Sequence, residues 1–272
     1  LSTQVAQVTG EELSPWVTPI RFCSWMGGDR DGNPNVTHET TREVLLLARW
    51  AAADLYYRDL TGLIQDLSMS EASDDLRNLV GADEVEPYRR LLKDLREEIH
   101  VLKLEVEALL RGENPSKQSL IRETADLFDP MLLVWESLHV CGMDEIADGY
   151  LLDTLRRIAT FGIDLVTLDI RQESTRHADV MAELTEALEL GDYVTWDESK
   201  RCDFLRHELA NPRPLIPYDF DPSDEVAEVI ETCRVISKAD PSSLGSYVIS
   251  MAQQPSDVLA VMLLQKACGM TR

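Results

Sequence analysis

Three short segments constrain this chain most. Ile20–Trp25, Leu165–Arg171 and Ser246–Met251 are β-branched or apolar, and each is followed by a loop and then a capped helix. A strand, a crossover helix and a second strand pair in parallel, because the helix carries the chain back to the starting edge. Long helical insertions separate the three units. The pattern predicts a mainly α fold with a few parallel β-strands, a partial (β/α) barrel surrounded by helical insertions. In such barrels the chemistry sits in loops at the strand C-terminal ends. The loops to inspect are therefore Met26–Asn35, Arg171–Thr175 and Ala252–Pro255.

The helices follow from apolar spacing and caps. Thr37 is placed to cap a helix from His38 to about Leu67, and a short helix is read over Glu71–Leu79. Pro87 opens a long helix whose stripe of Leu91, Leu92, Leu95, Ile99, Leu102, Val106, Leu109 and Leu110 stops at Gly112. Two helices are expected next, Leu120–Phe128 and Pro130–Cys141, with Asp129 capping the second, then one over Glu145–Thr160. Ser174 precedes a helix over His177–Glu189, and Thr195 with Glu198 has capping-box spacing for a helix to Ala210. Asn211–Pro222 reads as an extended linker, Ser223 caps a helix to Lys238, and Ser256 precedes a helix over Asp257–Ala267. No repeat appears, and no domain boundary is placed within residues 1–272.

Charge excludes whole classes of partner. Lys and Arg total 26 against 49 Asp and Glu, a formal net charge of -23. Phosphate backbones and anionic membranes meet a repulsive field, so neither nucleic acid nor a membrane is expected as partner. An anionic small molecule would need a local cluster of cations. The five cysteines are far apart and form no C-x-x-C pair, which fits reduced thiols in a cytoplasmic setting. The longest apolar stretch, Val44–Leu55, contains Arg49 and Asp54 and is too short to span a bilayer. No signal peptide is visible. The start at Leu1 and the stop after Gly-Met-Thr-Arg read as cuts in a longer parent.

Two loops carry candidate binding groups. Ser24–Asn35 holds three glycines, so its backbone can approach a ligand closely; it also reads as a surface turn with local ion pairs. Trp25, at a strand end, is placed to wall a pocket or to fill a core. In Asp169–His177, Asp169 and Arg171 share one strand face by period two, with Ile170 on the other. Arg171 sits where strand gives way to helix, a place suited to a bidentate phosphate clamp. A structural pair with Asp169 or Glu173 is the equal alternative. Of the five histidines only His177 is near a candidate site, and a capping or surface role is expected for it.

Taken in order, Phe22 to Thr37, Leu151 to Arg157, Asp169 to His177 and Tyr247 to Ala260 resemble the phosphoenolpyruvate carboxylase family, over about Pro19 to Gly269. The resemblance implies a lyase that joins bicarbonate to phosphoenolpyruvate, giving oxaloacetate and phosphate with Mg2+ or Mn2+. It implies a homotetramer in the cytoplasm, built on an eight-stranded barrel among many helices and subject to allosteric control. Arg171 is similar to the family's phosphate-holding arginine and Trp25 to its active-site wall; Arg30 and Arg176 lie in the motifs as further candidates for substrate binding. The family's Thr-Ala-His-Pro-Thr segment with its proton-handling histidine, its Gly-Tyr-Ser-Asp-Ser-x-Lys-Asp segment and its His-Gly-Arg-Gly-Gly loop do not occur in this sequence. No catalytic residue and no metal ligand is therefore expected here. The chain reads as a central segment of such an enzyme, inactive alone. The alternative is a non-catalytic helical scaffold or regulatory relative that uses this segment as an interaction module.

Overall fold

The structure, a computed structural model, describes residues 2–10, 14–33 and 35–270. Pro34 of the first loop and both chain ends, on which the reading of cut termini rests, lie outside the described residues. The elements in chain order are α1 (Ser2–Thr9), β1 (Cys23–Ser24), α2 (His38–Asp66), α3 (Asp74–Val80), α4 (Pro87–Leu110), α5 (Thr124–Val140), α6 (Asp144–Ile146) and α7 (Leu152–Phe161). Then come β2 (Thr167–Glu173), α8 (Ser174–Ala187), α9 (Glu198–Ala210), α10 (Asp224–Lys238), β3 (Leu244–Ser250) and α11 (Pro255–Ala267). The fold is mainly helical, with one parallel three-stranded sheet in the order β1-β2-β3. The described residues fall into two compact units, one of residues 1–22 and 46–166, the other of 23–45 and 167–272.

The first unit is helical. Pro87 opens α4 as expected, and Leu92, Ile99, Leu102 and Val106 along its stripe are buried. They pack with Tyr56, Leu60 and Leu63 of α2 and with Leu127, Met131, Val134 and Leu138 of α5. The two helices expected around Asp129 are one helix. Its cap lies at Glu123, where Asp126 accepts the backbone N–H groups of Arg122 and Glu123, so the helix starts well before Pro130. Proline removes one interior hydrogen bond there. The continuous burial of Leu127, Met131, Val134 and Leu138 on one face outweighs that loss. The helix expected over Glu145–Thr160 is interrupted: a π turn spans Ala147–Leu151, and Gly149 leaves helical geometry with ψ -130°.

The second unit carries the sheet. Burial along β2 alternates strictly, with Leu168, Ile170 and Gln172 inward and Asp169, Arg171 and Glu173 on the other face. Leu168 and Ile170 pack against Ile236 of α10, with Val44, Leu244 and Tyr247 around them. On β3, a Cβ at Gly245 would lie 2.3 Å from the Asp169 carboxylate, so a side chain there would force that carboxylate to move. A second cluster joins α8, α9, α10 and α11 through Val180, Leu184, Leu205, Val229 and Leu264.

Strand lengths differ from expectation. Only Cys23 and Ser24 of the first segment pair, with Thr167 and Leu168, because Leu165 takes a positive φ of 64° and breaks the extended run upstream of β2. Three caps also differ: Ser174 is the first residue of α8 itself, with Glu173 in the cap position. Asp197, not Thr195, caps α9 by accepting from the Lys200 N–H, while Thr195 closes a 3-10 turn over Tyr193–Thr195. Gln254 caps α11 in a reciprocal box with Asp257, and the Ser256 hydroxyl donates to Glu198 instead. Ser223 caps α10 as expected, and Thr37 accepts the Thr40 N–H at the start of α2.

Candidate functional site

The loop after β1 lies along β2. Arg171 N–H donates to the Gly28 carbonyl at 2.8 Å, and Arg30 N–H donates to the Arg171 carbonyl at 3.0 Å. Asp29 thereby forms a parallel bridge opposite Arg171. The glycines serve this approach. A Cβ on Gly28 would lie 2.1 Å from the Asp169 carbonyl, and Gly27 takes φ +81° with Val44 against it. The close contact that the glycines allow is thus with β2 itself.

Arg171 and Trp25 meet. The guanidinium carbon lies 4.9 Å from the Trp25 ring centroid, a cation–π stack, and Trp25 is half exposed, which removes the core alternative for it. The Asp169 carboxylate accepts the Ser246 N–H at 2.9 Å. The carboxylate that faces the arginine is that of Asp29, at 3.9 Å, beyond hydrogen-bond reach. Nε of Arg171 is buried with no hydrogen-bond partner among the described residues.

Arg30 and Arg176 are placed differently. Arg30 is 7% exposed; its Nη atoms donate to the carbonyls of Gly28 and Thr37 and to the Thr41 hydroxyl, and Nε stands 4.0 Å from Glu228. Burial lowers its pKa, and Glu228 opposes that shift. Arg30 also lines a cavity of about 240 Å³ with Arg176, Gln172 and Glu228. Gln172 points to the opposite face of β2 from Arg171, so this cavity and the Arg171–Trp25 stack lie on different faces of the strand. Sequence reasoning missed Glu228 and Thr41. Glu228 accepts from the backbone N–H of His38 and pairs with its ring, a partner 190 residues away, and no local pattern signals it.

His177 is neither a cap nor a surface group. It is 1% exposed, and its Nε2 lies 2.8 Å from the Tyr247 hydroxyl. Burial pushes its pKa down from 6.5 to about 4, with Asp257 opposing. The imidazole is therefore neutral in the fold, while the unfolded chain takes up its proton near pH 6.5. Stability is full above that pH and falls as pH drops from 6.5 to about 4, by about 3 kcal/mol in all. Urea melts across this window should show a shallower loss in His177→Gln than in the parent sequence. Equal slopes would show that His177 does not carry the effect.

Comparisons with known proteins agree with these motifs. The family model for phosphoenolpyruvate carboxylase matches residues 1–272. A phosphoenolpyruvate carboxylase from Pseudomonas aeruginosa is 58% identical over 261 residues, covering 96% of this chain and 30% of that protein. One from Stutzerimonas stutzeri is 55% identical over 266 residues, covering 98% and 30%, and one from Vibrio parahaemolyticus is 50% identical over 269 residues, covering 99% and 31%. The chain spans about 30% of the length of these curated relatives. With a family model matched from end to end, the chain belongs to the phosphoenolpyruvate carboxylase family.

Proposed function

We propose that the protein to which these residues belong joins bicarbonate to phosphoenolpyruvate, releasing oxaloacetate and phosphate, and that Arg171 receives the substrate phosphate beside Trp25. The observation that carries this reading is the state of Arg171: a cation stacked on an aromatic face, with no carboxylate of the described residues in hydrogen-bond contact and Nε without a partner among them. In a chain of net charge -23 such a cation is what a trianionic substrate requires locally. The guanidinium can offer two parallel N–H groups to two phosphate oxygens.

In the family chemistry, phosphoryl transfer to bicarbonate gives carboxyphosphate and the enolate of pyruvate, and the enolate then attacks the carbon dioxide released. This chain's part is to bind and orient the phosphate. Among the described residues no group of three His, Cys, Asp or Glu side chains is placed to hold a metal ion. We assign the Mg2+ or Mn2+ of this reading to residues elsewhere in the parent. A homotetrameric assembly, allosteric control and a cytoplasmic location are part of the same proposal. Among the described residues no helix is long and apolar enough to cross a membrane.

The test is a coupled assay that follows oxaloacetate reduction. The 272-residue chain is expected to show no metal-dependent turnover, because the proton-handling histidine segment is not in its sequence. The longer polypeptide is expected to turn over. Activity in the chain alone would overturn this division of labour, and inactivity of the longer polypeptide would favour the scaffold reading.

A further inference from the structure

Two thiols of the second unit lie together. Cys233, on α10, is 1% exposed, and Cys268, at the C-terminal cap of α11, is partly exposed. The Cys268 Sγ is 3.7 Å from the Ile230 carbonyl oxygen. A helical side chain leans over the turn preceding it, so the Cys233 sulfur covers the same turn as Ile230. Cys233 belongs to the apolar cluster of α8–α11 against which Cys268 packs, and each thiol shifts the pKa of the other. We propose that Cys233 and Cys268 form an oxidisable pair that a peroxide converts to an intramolecular disulfide, tying α10 to the end of α11.

The chemistry balances without another co-reactant. The Cys268 thiol gives up its proton, and the thiolate attacks one peroxide oxygen. The O–O bond breaks and hydroxide leaves, taking up that proton as the first water and giving a sulfenic acid. The Cys233 sulfur then attacks the Cys268 sulfur; the S–S bond forms, the S–O bond breaks, and the departing hydroxide takes the Cys233 proton as the second water. Two thiols supply two electrons, and one peroxide becomes two waters. The roles follow from placement. Cys268 is the more exposed of the two, and the neighbouring Cys233 thiol lowers its pKa, with Arg234 helping and burial and Glu231 opposing. Cys233 is buried, its pKa is raised by the Cys268 contact and by burial, and it meets Cys268 rather than solvent. Bond formation requires a movement that brings the two sulfurs to about 2.05 Å. Cys268 can supply it, since it follows the last helical residue and precedes Gly269 at φ 94°. By contrast the Cys202 thiol donates to Glu198.

The experiment treats the 272-residue chain with hydrogen peroxide and maps a non-reducing tryptic digest by mass spectrometry. The expected product joins the Cys233 and Cys268 peptides, is two hydrogens lighter than their sum, and separates on adding dithiothreitol. In the Cys233→Ala variant, dimedone should trap a sulfenic acid on Cys268; in Cys268→Ser no cross-link should form. Cys268 driven to sulfinic acid with Cys233 still free in the unsubstituted chain would overturn the proposal. So would a Cys233→Ala variant with no dimedone adduct at Cys268.

Discussion

Arg171→Ala should lower kcat/KM for phosphoenolpyruvate in the intact parent by about 10- to 1,000-fold, with little change in the melting temperature of this chain. A charge-assisted hydrogen bond is worth roughly 1.5–3 kcal/mol, and tenfold in rate corresponds to about 1.4 kcal/mol. The structural losses are smaller. The pair with Asp29 is 3.9 Å long and a third exposed on each side, worth at most about 1 kcal/mol. The stack on half-exposed Trp25 adds about 0.5–1 kcal/mol. Arg171→Lys separates charge from shape, because lysine keeps the cation and loses the planar fork. It should recover only part of the loss. A structural role predicts the reverse: a clear fall in melting temperature with near-normal kinetics in the folded enzyme. An unchanged kcat/KM in Arg171→Ala would remove this residue from the site.

The face on which Arg171 stands was legible in the sequence because a strand alternates sides every residue. Asp169, Arg171 and Glu173 project opposite to Leu168, Ile170 and Gln172 as period two requires. The partner of Arg171 was not legible. Asp169 is two residues away but its carboxylate is taken by the Ser246 N–H across the sheet, and Asp29 arrives through a bridge between distant segments. Pro130 misled for a local reason. Proline marks a first turn as readily as an interior kink, and only the burial of Met131 and Val134 beyond it decides which. Arg30 and Arg176 shared a motif with the site, yet the strand directs their cavity to its other face. Motif membership fixes position along the chain; the pleat fixes direction.

Arg30→Ala should cost far more stability than any exposed arginine in the chain. Arg30 is 7% exposed and ties together the Gly28 carbonyl, the Thr37 carbonyl and the Thr41 hydroxyl, with Glu228 at 4.0 Å. Truncation leaves the Gly28 and Thr37 carbonyls and the Thr41 hydroxyl without this donor, and opens a void behind the loop. Leaving buried acceptors without their donor costs about 1–3 kcal/mol, and the contact with part-exposed Glu228, 4.0 Å away, adds at most about 1 kcal/mol. The Thr41 hydroxyl also donates to the Gly27 carbonyl at 2.6 Å, so the loss reaches the turn that holds Gly28 against β2. At about 2–4 °C per kcal/mol for a chain of this size, the melting temperature should fall by roughly 2–16 °C. Arg30→Met keeps most of the volume without the donors, and should recover the packing share only. A surface arginine would change stability by about 0.5 kcal/mol or less. A shift that small in Arg30→Ala, measured by calorimetry on the 272-residue chain, would show that the loop holds its shape without this side chain.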